Sequence, residues 1–181
     1  MRNQSKAALT VKMMAIDAML IAMHVVLNTF SLKALNFKFT FDSFPIVVGA
    51  VMFGPLHGSL IGLLGSACYQ FFFSGYGITP TTPLWILPAV IRGLIIGIYS
   101  KKKSFEPPKK GLVAICILAG VVVTSLNTVA IYTDSMIFNY FSYELVFGSI
   151  VPRYIASIII AVVFALIVPA LIKGIRKNIR L

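Results

Sequence analysis

Two arginines stand where a charge is expensive. Arg92 lies inside the apolar run Ile91-Arg92-Gly93-Leu94-Ile95-Ile96, and Arg153 lies near the start of the last apolar block. An ionised side chain at depth in lipid is by default a sign of function, particularly of anion binding. The plainer roles are also open: Arg92 can snorkel or pair with a carbonyl, and Arg153 can mark an interface. Asn127, in Thr124-Ser125-Leu126-Asn127-Thr128, can satisfy the nitrogens or carbonyls of a ring, or can join two helices as a polar contact. Trp85, the single tryptophan, is placed to stack on a planar ring or to sit in an aromatic belt. The run Gly75-Tyr76-Gly77-Ile78-Thr79-Pro80-Thr81-Thr82-Pro83 before it is rich in turn formers and hydroxyls, so Thr79 and Thr81 read as hydrogen-bonding residues of a lid. Lys33 and Lys38 are placed to meet an anionic group from another side. Together these residues describe a pocket for a flat, anionic small molecule.

Catalytic chemistry is hard to find. His24 and His57 are isolated in the sequence, with no HExxH and no paired carboxylates. Neither a GxSxG nor a Ser/His/Asp pattern is visible, so no enzymatic activity is expected. A GxxxxGK[ST] loop is missing too, so the chain does not bind ATP in the P-loop manner, and active transport would draw on a partner or an ion gradient. Asp17 is the only acid inside an apolar span, fewer than a proton-coupled carrier keeps at depth. Cys68 and Cys116 lack CxxC spacing and read as small buried hydrophobes; no metal and no cofactor is expected.

The elements that must position this pocket follow from composition. Of 181 residues, 59% are hydrophobic and only 12% charged, against about 25% in a soluble domain. Mean hydropathy is +0.94. Apolar blocks recur to the last residues, as in an integral membrane domain. Six helices are expected, over residues 11–32, 43–53, 57–74, 83–99, 111–132 and 148–173. The first begins basic and then apolar, as a signal peptide does, but lacks a small-residue cleavage site and reads as a retained helix. The second, at 11 residues, rises only about 16 Å. Before it, Phe37, Phe39 and Phe41 alternate with Lys38, Thr40 and Asp42, an extended pattern. Gly54-Pro55 predicts a tight turn between the second and third helices.

Charge sets the orientation. Of 16 Lys and Arg residues, 12 fall at the chain ends and in residues 100–110, against 5 acids in the whole chain and a net charge of +11. With six helices these basic regions share one side, which the positive-inside rule makes cytoplasmic, with both termini. That segregation leaves no basic surface for nucleic acid. We read an all-α bundle of six transmembrane helices, one membrane-embedded domain over residues 1–181. Gly58/Gly62 and Gly93/Gly97 are small pairs suited to close helix packing. Ala18 and Ala22 form a similar stripe that serves internal packing or an external docking face equally well.

With these residues in view, the chain resembles the S components of the energy-coupling factor transporters. The resemblance rests on the basic start, Ala18-xxx-Ala22, Phe39-Thr40-Phe41-Asp42-Ser43-Phe44-Pro45, Met52-Phe53-Gly54-Pro55-Leu56-His57-Gly58, and Arg92-Gly93-Leu94-Ile95-Ile96-Gly97-Ile98-Tyr99 followed by Lys101-Lys102-Lys103. It is most similar to the folate-type branch, over about residues 10–103. Where folate-type members carry a Pro-Gly-Phe-Thr-like stretch, this chain has Thr79-Pro80-Thr81-Thr82-Pro83-Leu84-Trp85, so cobalamin, pantothenate and a pyridoxine-like ring stay open beside folate. The resemblance implies a vitamin-capturing subunit that pairs with a transmembrane scaffold and two cytoplasmic ATPases, docks through Ala18 and Ala22, and topples in the membrane to release its ligand. A stand-alone secondary carrier or channel is the competing class; it would show intramembrane acids or an inverted repeat, and no repeat is visible.

Overall fold

A computed structural model describes the backbone of residues 2–30, 32–34, 37–39, 41–75 and 77–179, and the side chains of 11–30, 41–75 and 77–177. The side chains of Lys33 and Lys38, and of the terminal cations Arg2, Lys6 and Arg180, lie outside the described residues. Six helices run as α1 (Arg2–Thr29), α2 (Ser43–Phe53), α3 (Pro55–Phe72), α4 (Thr82–Lys102), α5 (Lys109–Ile137) and α6 (Ile150–Ile179). A π-helical turn, Glu144–Gly148, precedes α6. The expectation of an all-α chain needs one correction. A short antiparallel hairpin, β1 (Leu32–Ala34) and β2 (Phe37–Phe39), pairs Leu32 with Phe39 and Lys33 with Lys38. The second strand falls where the alternating phenylalanines look extended. The first takes Leu32 out of the first helix, which stops at Thr29.

The segments around residues 11–29, α4, α5 and 144–177 are each long and apolar enough to cross a membrane. The remaining two helices are built differently. The helix α2 is short and almost wholly buried, from Ser43 through Met52 apart from Phe44. The helix α3 gives up hydropathy for small residues, and these let its neighbours come close. Gly58 faces Gly93 of α4, where an added Cβ would stand 2.6 Å from the Ala50 Cβ and 3.2 Å from the Gly93 Cα. Gly62 lies against the backbone of Ala89 and Val90, and Gly97 against Pro55. The two glycine pairs read from the sequence thus meet each other, and internal packing is their role. Gly54 takes φ +95° at the α2–α3 turn, a conformation that a side chain would strain.

The fold has two ends. At the basic end lie the α2–α3 turn, the α4–α5 turn and the last residues of α6; at the loop end lie the β1–β2 hairpin and residues 77–81 and 138–149. Ser100, fully buried, donates its hydroxyl to the Val51 carbonyl at 2.9 Å and so ties α4 to α2 near the basic end. Gly93→Ala should push the α3 and α4 backbones apart and destabilise the protein by about 1–3 kcal/mol. Gly174→Ala, where an added Cβ meets nothing within 4 Å, should leave the Tm in detergent unchanged.

Candidate functional site

The length of α2 sets the depth at which the chain before it enters the bundle. Its 11 residues rise about 16 Å, against a hydrocarbon core of about 30 Å. Because its last turn is held at the basic end by the Gly54–Pro55 contact with Gly97, its first residue stops about half-way along the bundle. The chain returns to that depth through residues 30–42, which carry the hairpin.

Three helices hold the start of α2. His24 of α1 is fully buried, with Nδ1 2.7 Å from the Asp42 carbonyl oxygen and Nε2 3.2 Å from the Ser66 hydroxyl of α3. Since the carbonyl only accepts, Nδ1 carries the proton and donates, and in the neutral ring Nε2 accepts from Ser66. Gly65 makes room for the ring, for a Cβ there would approach the His24 Cδ2 to 2.6 Å. Phe164 of α6 packs its ring against Phe41 and Phe44 at 6.3 and 5.4 Å between centroids. Neither histidine is isolated in the fold, for His57 Nδ1 lies 2.5 Å from the Asp17 carboxylate, joining α3 to α1 nearer the basic end.

Arg92 lies on α4. It is partly buried, and Asp42 is the carboxylate whose charge acts on it, with Cys116 of α5 also facing it. Trp85 is seven residues earlier, two turns or about 10 Å toward the loop end on the same helix face, and is half-buried. On α5, Cys116, Gly120 and Val123 form a buried stripe, and Asn127, half-buried, continues it one turn farther. Trp85 thus lies about two turns above Arg92 on one face of α4, each partly buried.

The other candidates sit apart. Arg153 donates from Nη2 to the Leu145 carbonyl at 3.2 Å, while its Nη1 is enclosed with no hydrogen-bond partner among the described residues. Thr81 is 1% exposed and gives its hydroxyl proton to Asp134, the carboxylate that also receives Tyr140. A hydroxyl has one proton, so Thr81 accepts from Thr79 at 3.0 Å, and Thr79 in turn accepts from Thr82 at 3.2 Å. These threonines therefore brace the α3–α4 loop against α5, with their protons already committed. Lys33 and Lys38 are cross-strand partners by backbone. Ala18 and Ala22 are exposed on the face of α1 that also shows Met14, Met19 and Val26, opposite buried Leu20 and His24.

Sequence reasoning misses Asp42 as a partner of Arg92, the His24–Ser66 contact and the Asp134 junction. Only Asp42 leaves a local signal, an acid immediately before Ser43-Phe44-Pro45 at a helix start. An apolar groove of about 570 Å³ lies between α3 and α4, lined by Leu63, Phe71, Ile86 and Leu87 together with Thr79, a predicted lid residue, and Thr82. It holds no charged group.

Comparison with known proteins bears on this arrangement. No curated protein matches the sequence. Among solved structures, the chain is similar to an S component of a bacterial ECF transporter, with TM-score 0.69 and 19% identity over 92% of this chain and 99% of that one. It is similar to FolT bound with folic acid, with TM-score 0.61 and 24% identity over 84% of this chain and 89% of that one. It is also similar to the S component for biotin from an ECF-type ABC transporter, with TM-score 0.63 and 17% identity over 92% and 93% of the two chains. These likenesses establish the fold. The model of the ECF transporter substrate-specific component matches residues 12–177, nearly the whole chain. This multi-pass membrane protein therefore belongs to the family of substrate-specific components of the ECF transporters.

Proposed function

We propose that this substrate-binding component captures folate through the loop end, held outside, and hands it to a scaffold subunit and two cytoplasmic ATPases. The observation that carries the reading is the placement of Arg92 half-way along the bundle, facing Asp42 and two turns below Trp85. The charge of Asp42 acts on Arg92, and the donors of one with the acceptors of the other would suit the edge of a heteroaromatic ring. The ring would stack on Trp85, worth about 1 kcal/mol beyond burial, with Asn127 completing its edge.

The carboxylate is better served by Arg153. It lies three residues into α6, about 5 Å from that helix start, whereas Arg92 lies ten residues into α4, about 15 Å in. A ligand satisfying both is elongated, with a polar ring at one end and a carboxylate at the other. Folate has that outline. The Nη1 of Arg153 has no partner to give up, so a charge-assisted bond there would contribute about 1.5–3 kcal/mol. Lys33 and Lys38 would add to the anionic end, while Thr79 and Thr81 would shape the rim through their bracing. The fold likeness to FolT with folic acid favours folate, and that to the biotin component keeps a smaller ring acid as the second reading.

As the single tryptophan, Trp85 reports binding by its own fluorescence. Folate should quench it. Arg153→Ala should weaken folate roughly 10- to 100-fold while barely changing an analogue that lacks carboxylates. Arg92→Ala should weaken both. If neither substitution matters, the pocket is misplaced; if biotin or another vitamin quenches where folate does not, the pocket stands and the ligand changes.

Docking and orientation are separately testable. Ala18 and Ala22 lie exposed and small on α1, a surface that another helix can approach closely. Ala18→Trp should abolish ATP-driven uptake with the partner subunits while leaving ligand affinity of the isolated component unchanged. Loss of both would contradict a docking role. With the basic end in the cytoplasm, Lys102→Cys should resist an impermeant thiol reagent in intact cells and react after permeabilisation.

A further inference from the structure

We propose that the basic end of the bundle is a binding surface for anionic phospholipid headgroups. Lys101 and Lys102 end α4, Lys103 follows, Lys109 and Lys110 open α5, and α6 brings Lys173, Arg176 and Lys177 to the same end. The fold holds these groups together. Ser104 and Phe105 take φ of 53° and 62° and turn the chain back on itself, with the Phe105 N–H donating to the Ser100 carbonyl at 2.9 Å. Arg176 donates to the Phe105 carbonyl at 3.1 Å and stands 3.7 Å from Glu106, which binds the end of α6 to that turn. The Phe105 ring lies over Gly54, so the turn is folded down onto the bundle.

The charge here is unbalanced and accessible. Glu106 is the one acid in the cluster, so eight cations less one acid leave +7. All seven lysines are exposed, and among the described residues none has an ion-pair partner. Their level matters as much as their number. On α4 the exposed side chains are apolar through Leu94 and Ile98, then become lysine at residue 101; on α6 they are apolar through Ile167 and Leu171, then become lysine at residue 173. The change occurs within one turn on both helices. It marks the plane where hydrocarbon gives way to phosphate, and the lysines lie in that plane. A protein partner would be better met by a projecting loop, and this turn does not project. Basic clusters immediately beyond a transmembrane helix bind anionic lipid through this charge complementarity.

The proposal does not depend on which vitamin is bound. The full chain would be purified into nanodiscs of mixed phosphatidylglycerol and phosphatidylcholine, and lipid retained on gentle release would be counted by native mass spectrometry. The expected result is phosphatidylglycerol retained roughly tenfold over phosphatidylcholine, with the preference falling at about 0.5 M salt. Exchanging Lys101, Lys102 and Lys103 together for Gln should remove most of the preference, as should the separate pair Lys109→Gln with Lys110→Gln. Unchanged Tm in lipid-free detergent shows that the variants are folded. Equal retention of the two lipids by the parent protein overturns the proposal. So does full displacement of phosphatidylglycerol by millimolar inorganic phosphate, which would make this a soluble-anion site. Variants that keep the lipid preference but lose the ATPase subunits would make it a protein-docking surface and overturn it equally.

Discussion

The first residue of α2 stops about half-way along the bundle because the helix has 11 residues and its other end is locked to α4. Irregular backbone at that depth is tolerated only where protein or a lined cavity satisfies it. His24 meets this demand at one point, donating to the Asp42 carbonyl at 2.7 Å. Phe164 meets the apolar part by packing on Phe41 and Phe44. Trp85, Arg92 and Asn127 are each partly buried on α4 and α5.

The α3–α4 seam makes the geometry rigid. Small residues at Gly58, Gly62, Gly93 and Gly97 bring two backbones into direct contact, so the helix that carries Trp85 and Arg92 has little freedom to shift. On the far side of α4, the α3–α4 loop is fixed by a chain of hydroxyls ending on Asp134. The outward face of α1 has the opposite character. Ala18 and Ala22 touch no core, and the surface they offer is smooth and exposed, while the same helix reaches inward through His24 to the floor of the site. One helix therefore carries both the exposed Ala18 and Ala22 and the buried His24.

Much of this was legible in the residues. Long apolar blocks separated by Gly54-Pro55 and by lysine runs give helix limits close to those observed, and alternating phenylalanines betray the extended segment at residues 37–39. Glycines four apart announce a close seam. Contacts between helices left no such trace. Asp17 and His57 are 40 residues apart, His24 and Ser66 are 42, and Thr81 and Asp134 are 53. Local periodicity shows which face of a helix turns inward, but which polar groups meet there is set by the crossing of two helices. For that reason Thr79 and Thr81 read as free lid hydroxyls, and Asp42 as an ordinary loop acid, until the packing is known.

The central claim is that Arg92 and Asp42 act as one unit at the floor of the site. A double-mutant cycle on Tm and unfolding free energy, using Arg92→Ala, Asp42→Ala and both together in detergent without ligand, tests it directly. Each single change removes one side of the charge interaction between Arg92 and Asp42, whose carboxylate also accepts from the Ser43 hydroxyl at 3.4 Å. The double variant should therefore be less destabilised than the sum of the two singles by about 1 kcal/mol or more. Effects that simply add, within about 0.5 kcal/mol, would show that the two charges do not share a site and would contradict the account.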